Sequence, residues 1–384
     1  MVRKITAGIF LFFSVAVVLL YIFDLNYTYR TLWYNLPGIY DRDIFSSRKI
    51  IKSQKPAEWP LSLQYNKYPV SEKLDSTLKE NETIAFLVIQ NDSVIVERYQ
   101  ESASDTTLSN SFSIAKSYVG ALIGRALKLG YIKSIDQRIG EFIPEFNSGN
   151  KSKITIRHLL MMSSGLDWNE QYASLWSATT EAYYGTDLIK QMSELSCKEP
   201  PGIHFEYQSC DTELLAMVLV RATGMSLSEF FQKELWQPLG AVSDAYWSLD
   251  HTDGMEKAYC CIYSNARDFA RLAKLYLQQG NWNGQQLIDS SFVNNSITPS
   301  GLIDPDIHNK IDYYGYQWWI IPDYKGNKVF YMRGILGQYV IAIPSINTII
   351  VRLGHKRGQK LQMHYAETYQ MIDDAMNLYR LHKK

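Results

Sequence analysis

The sequence predicts an α/β (α+β) domain whose sheet is completed by segments from both ends of the chain around a mainly helical insert. A hairpin pattern lies near residue 90, four strand-like runs return only after residue 315, and helical periodicity fills the stretch between them. Strands flanking a helical insert imply two lobes, and the crevice between such lobes is the natural place for a site.

Taken in order, Ser71 to Glu80 reads as a charged helix. Ile84 to Gln90 and Ser93 to Tyr99 alternate as strands, and Asn91-Asp92 between them is a two-residue hairpin turn. The insert then carries helical spacing from Ser113, in Thr155 to Met162, Thr212 to Thr223, Ser226 to Leu235 and Ala266 to Gln279, with Gly and Pro breaks between. Strands resume at Tyr316 to Ile321, Lys328 to Arg333, Tyr339 to Pro344 and Thr348 to Leu353, and Glu367 to Leu381 closes as a helix. Residues 25–70 show little periodicity and read as an extended arm leading onto a domain of residues 71–384. Trp33, Tyr34 and Trp59 are costly to leave in water, so the arm is expected to be ordered against that domain.

With 46% hydrophobic residues the chain has material for a large core. Its 39 basic and 39 acidic residues cancel, which argues against a polyanionic partner such as nucleic acid. Residues 1–24 form a candidate signal-anchor. Arg3 and Lys4 precede the apolar run Ile5 to Phe23, which as a helix would span about 28 Å. Positive charge before the run favours a cytoplasmic N-terminus and an extracytoplasmic, periplasm-like location for the rest. Secretion after cleavage is the competing reading, and the bulky Leu19 to Phe23 offers no small-residue cleavage site. Cys197, Cys210, Cys260 and Cys261 would then sit where disulfides can form. A bond between adjacent Cys260 and Cys261 would be strained, so both are expected as small buried core residues. No metal-ligand spacing is present, and no cofactor is implied.

Chemistry enters with Ser113-Ile114-Ala115-Lys116, because a helix turn places residues three apart on one face, and an adjacent amine can make a serine nucleophilic. Ser-x-x-Lys recurs by chance about once or twice in a chain of this length. Ser46 with Lys49, Ser76 with Lys79 and Ser148 with Lys151 fit it too. Context separates them. A lysine base must be desolvated to lose its proton, and only Ser113 opens an apolar helix, through Val119, Leu122, Ile123 and Leu127; the other three lie in charged or turn-rich surroundings.

Further along come Ile156 to Leu166 (with Ser163-Ser164-Gly165), Pro201 to Ser209, Trp236 to Gly240, Asn265 to Ala270 and Gly334 to Gln338. In this order the segments resemble the serine β-lactamase-like hydrolases, the superfamily of class C β-lactamases, penicillin-binding-protein-like carboxypeptidases and related esterases. Within it they are most similar to the 6-aminohexanoate-oligomer (nylon-oligomer) hydrolase branch, over roughly residues 45 to 380. The resemblance implies a β-lactamase/transpeptidase-like fold, an antiparallel sheet flanked by helices with a mainly helical second lobe. It implies a serine hydrolase, acting on small amides or esters through an acyl-enzyme without cofactor. Ser113 would be the nucleophile, Lys116 its proton acceptor and Tyr207 the group returning a proton to the leaving group. The backbone N–H groups of Ser113 and Ile335 would form the oxyanion hole, and Ser209, Gly334 and Tyr172 would contact substrate.

Physics allows either neutral Lys116 with the Tyr207 phenol or charged Lys116 with tyrosinate, since the pair shares one proton. Tyr263-Ser264-Asn265 competes with Tyr207 by letter, but Ser264 or Asn265 stands where the next helix needs an N-cap, which makes Tyr263 a core aromatic. The chain departs from drug-hydrolysing relatives at Met332-Arg333-Gly334, where they carry a Lys or His and a hydroxyl. Strand alternation sends Arg333 away from the face of Met332, so a cation for a β-lactam carboxylate is in doubt. The rival enzyme readings are a β-lactamase or D-alanyl-D-alanine carboxypeptidase, and the rival of another class is a catalytically silent binding or sensor protein of the same fold. Oligomeric state is not legible in the sequence.

Overall fold

The computed structural model describes residues 27–382, together with residues 6, 14, 15, 17, 18, 20 and 25. The expected membrane span over Ile5 to Phe23 lies for the most part outside the described residues. Among those described, no single helix is long and apolar enough to cross a membrane.

Helix α1 (Tyr27–Tyr34) leads into β1 (Ser47–Ile50), and α2 (Glu72–Glu80) follows, capped by the Ser71 hydroxyl, which accepts from the Leu74 amide. The hairpin β2 (Thr83–Gln90) and β3 (Ser93–Tyr99) turns through Asn91 and Asp92, both at positive φ, as its twist requires. After β4 (Ser109–Asn110) comes α3 (Ile114–Lys128), then α4 (Ile156–Leu160), α5 (Ala178–Tyr184), α6 (Ser209–Thr223) and α7 (Leu227–Phe231). Strands β5 (Ala245–Ser248) and β6 (Ile262–Ser264) precede α8 (Ala266–Leu277). The chain ends through β7 (Trp319–Tyr324), β8 (Asn327–Gly334), β9 (Gln338–Ile343), β10 (Thr348–Gly354) and α9 (Ala366–His382).

The expected sheet of distant segments is present: six antiparallel strands in the order β3-β2-β10-β9-β8-β7. Its closure rests on β2 against β10, where Ile89 faces Ile349 and Val88 faces Ile350. Alternation then divides the apolar side chains. Leu87, Ile89, Met332, Val340 and Val351 enter the large core shared with α3 and α8, while Phe86, Val88, Tyr331, Ile341 and Ile350 pack with α2 and α9. A second sheet, β1-β5-β6-β4, was not foreseen, since strands of two to four residues are too short to show a period.

The stretch expected as an extended arm is partly helical and contributes an edge strand to that second sheet. Trp59 is buried as expected, with its indole N–H donating to the Arg267 carbonyl, but Trp33 is 83% exposed. Ser226 to Leu235, expected as one helix, is α7 followed by a π-turn over Gln232–Trp236 that seats Trp236 in the core.

Because β10 is the strand that joins the two ends of the chain, Ile350→Ala is expected to cost about 2–5 kcal/mol. Denaturant unfolding followed by circular dichroism measures this, and a loss under about 1 kcal/mol would contradict the central role of that strand.

Candidate active site

The turn before α3 is strained in a way that presents Ser113. Phe112, a bulky residue, sits at φ 43° and is held there by its amide, which donates to Asn110 Oδ1 at 2.9 Å. Ser113 is the N-cap of α3, yet its side chain makes no capping bond, so the hydroxyl is free for other work. One turn on, Lys116 is 1% exposed, and its Nζ lies 3.1 Å from Ser113 Oγ, 3.1 Å from Ser209 Oγ and 3.0 Å from the Tyr259 carbonyl oxygen. The Tyr207 and Tyr259 rings lie 5.1 and 5.5 Å from that amine. By contrast, Lys79 of a chance match is 66% exposed at its side chain, and Lys49 of another is also in solvent.

Burial pulls Lys116 down from 10.5 to about 8, against the opposing field of the Glu170 carboxylate. Tyr207 moves the other way: burial raises its phenol, and a hydrogen bond with Ser113 only partly offsets that. Of the two proton arrangements left open by the sequence, neutral amine with intact phenol is therefore favoured. The neutral amine has two N–H bonds and one lone pair. Ser209 Oγ already gives its proton to Glu170 Oε1 at 2.7 Å, and the Tyr259 carbonyl has none, so both can only accept. The lone pair is left for the Ser113 hydroxyl.

Glu170 is the residue that sequence reasoning missed. Its carboxylate accepts from the Ser209 amide (2.7 Å), the Ser209 hydroxyl, the Trp168 indole (2.6 Å) and the Tyr172 hydroxyl (2.6 Å) at the N-terminus of α6, where a negative charge is stabilised. The one trace in the sequence is the alternation Trp168, Glu170, Tyr172, which puts the three on one side of an extended segment. Ser209, expected at the substrate, borders the cavity but spends its proton inside the site, linking Lys116 to Glu170.

A cavity of about 200 Å³ opens at Ser113 and is bordered by Ile335, Tyr172, Tyr259 and Cys260, so both expected oxyanion residues and Tyr172 share it. A second, polar cavity of about 400 Å³ lies on the Tyr207 side, beside Glu206, His204 and Asp304. Gly334 does not border either one. A Cβ there would collide with the Ser111 carbonyl and crowd Phe112, so the glycine permits β8 to press against the turn that carries Ser113. Beyond it, the buried Arg352 guanidinium donates to the carbonyls of Leu336 and Gly337, at 2.9 and 2.6 Å, fixing the segment that presents Ile335.

Arg333 lies 3.4 Å from the centre of the Trp319 ring and donates to the Met363 carbonyl, while Met332 is in the core, as alternation requires. Tyr263 is buried and accepts from Asn110 Nδ2, and Asn265 caps α8 by accepting from the Asp268 amide. One expectation is overturned. Cys260 and Cys261 are not separate thiols but bonded to each other, on a turn where Cys261 has φ 69° and Trp247 donates to the Cys260 carbonyl. Adjacency argued against the bond, but the tertiary fold bends the backbone there. Cys197 and Cys210 are free.

Fold and constellation together are those of a β-lactamase-type domain, and comparison with known proteins agrees. The beta-lactamase family profile matches residues 73–370, and the chain belongs to that family. It is similar to the 6-aminohexanoate-dimer hydrolase of Paenarthrobacter ureafaciens, 26% identical over 296 residues covering 73% of this chain and 74% of the relative. A Bacillus anthracis structure assigned to the 6-aminohexanoate-dimer hydrolases superimposes with TM-score 0.79 at 23% identity, covering 89% of this chain and 94% of that one. A family VIII carboxylesterase gives TM-score 0.64 at 16% identity over 83% and 99% of the two chains, and these likenesses in structure speak for the fold.

Two variants probe this geometry. Gly334→Ala is expected to slow acylation at least about ten-fold, because the new methyl group shifts the turn carrying Ser113, with a stability loss of about 1–3 kcal/mol; unchanged acylation would show that the turn tolerates displacement. Glu170→Gln removes the charge that holds the Lys116 value up, so the midpoint of the acylation pH profile should move to lower pH. A midpoint that stays put would show Glu170 to be structural only.

Proposed function

We propose that this protein is a serine hydrolase that cleaves amides or esters through an acyl-enzyme. The observation that carries the reading is the buried Lys116 amine, whose acceptors are arranged so that its lone pair meets the Ser113 hydroxyl. In the first half-reaction Ser113 Oγ attacks the substrate carbonyl and passes its proton to Lys116. The carbonyl oxygen becomes an oxyanion between the amides of Ser113 and Ile335, and its collapse expels the leaving group, which takes a proton from the Tyr207 phenol. The proton taken by Lys116 then passes to the Tyr207 oxygen and restores both groups; the amine lies 5.1 Å from the centre of that ring. Water then attacks the acyl-enzyme by the same steps in reverse. Tyr172, which lines the cavity with its hydroxyl held by Glu170, would contact the scissile group.

The likenesses to a 6-aminohexanoate-dimer hydrolase and a carboxylesterase support amides and esters as substrates, and the absence of a lysine or hydroxyl at Met332-Arg333 argues against β-lactams. The apolar run from Ile5 to Phe23, preceded by Arg3 and Lys4, supports a single membrane anchor with the catalytic domain on the extracytoplasmic side.

Intact mass after treatment with a fluorophosphonate, and separately with benzylpenicillin, tests the reading. Labelling by the phosphonate should occur in the wild type and vanish in Ser113→Ala; Lys116→Ala should slow it at least about 100-fold. A protein that resists the probe would be a silent member of the family, and durable penicillin labelling would restore the cell-wall alternative. The proton acceptor works only as neutral amine, so labelling should increase as pH rises through about 8 and level off above. A rate that is flat from acid to alkaline pH would remove Lys116 from that role.

A further inference from the structure

The cavity that opens at Ser113 has a wall that the catalytic steps do not use. Leu32, Asn35, Leu36 and Pro37, from α1 and the turn after it, line it together with Cys260 and Ile335. This wall is docked on α5, where the Tyr184 hydroxyl donates to the Asn35 carbonyl at 2.6 Å. Two of its large apolar side chains stand largely in solvent: Leu32 is 70% and Leu36 66% exposed. Exposed apolar side chains on the wall of a cavity that borders Ser113 call for an apolar ligand.

Resting on the hydrolase reading, we propose that the substrate is an amphiphile, an ester or amide whose acyl part is a medium or long hydrocarbon chain. The two cavities divide the substrate. The apolar one borders Ser113 and Ile335 but not Tyr207, so it receives the acyl half that stays on the enzyme. The polar one borders Tyr207, the group that protonates the departing half, and carries Glu206, His204 and Asp304. A chain seated against Leu32 and Leu36 covers the side chains that are otherwise exposed. Position in the sequence fits an interfacial source as well. Leu32 follows the apolar run ending at Phe23 so closely that even extended chain keeps the mouth within about 30 Å of a bilayer holding that run.

The test uses the full chain in detergent and the p-nitrophenyl esters of acetate, butyrate and octanoate below their aggregation limits, with a short-chain fluorophosphonate as a count of working Ser113. Each buried methylene is worth up to about four-fold in kcat/KM, so octanoate should exceed acetate at least about ten-fold. In Leu32→Glu and Leu36→Glu, both exposed positions where folding tolerates charge, that ratio should fall towards one. A wild-type ratio under about two, or a ratio unchanged in both variants, would overturn the acyl-chain assignment while phosphonate labelling left the hydrolase intact. No labelling of the wild type would instead bring down the hydrolase reading and this inference with it.

Discussion

The interaction on which the site depends is the desolvation of one amine. Lys116 in water would hold its proton at neutral pH and be useless to Ser113; enclosed by Tyr207, Tyr259 and Ser209 it releases that proton near the range in which proteins work. Much of the helical lobe can be read as the means of that enclosure. Helix α3 is buried along nearly its whole length, α6 delivers Ser209 from its first turn, and the carbonyl of Tyr259 is brought in from the turn before β6. A charged group this deep requires partners, and Glu170 supplies the counter-charge through Ser209 without touching the amine itself.

The sheet has a different duty. It aligns two segments more than 200 residues apart in the chain so that the end of β8 meets the turn carrying the nucleophile. Gly334 makes that approach sterically possible, and Arg352 holds the following loop by its carbonyls. In the proposed mechanism the oxyanion side of the site is thus built on the sheet and the proton-transfer side on the helices. Electrostatics follows this division, since the groups that titrate lie on the helical side and the sheet contributes backbone.

The segment leading into the domain is part of the site as much as of the fold. A helix of eight residues with most of its length exposed gains little stability on its own, and here it is tied down by α5 and the cavity wall. Cys260, joined to Cys261, borders the same cavity, where two free thiols were expected. Both features lie outside the proposed trio of Ser113, Lys116 and Tyr207.

Local patterns in the sequence determined the hairpin with its Asn91-Asp92 turn, the late strands to within a few residues, and the distinction of Ser113-Lys116 from three chance matches. Each rests on short-range physics: alternation, helical spacing, and apolar neighbours that foretell burial. Motif order carried Tyr207 and Ile335 to the site as well, and the N-cap role of Asn265 removed Tyr263 from it. Only the tertiary structure decided the rest. Glu170 gained its role from donors on α6 that no local rule connects to it, the small sheet was assembled from strands too short to show a period, and Gly334 turned out to serve the nucleophile's turn. Cys260 and Cys261 bond because a distant indole, that of Trp247, helps to hold a turn that adjacency alone disfavours. Trp33, a residue that burial energetics would place inside, remains in solvent because its neighbours on α1, not it, are the ones that reach the cavity. Such outcomes depend on which surfaces meet, and meeting is a property of the folded chain.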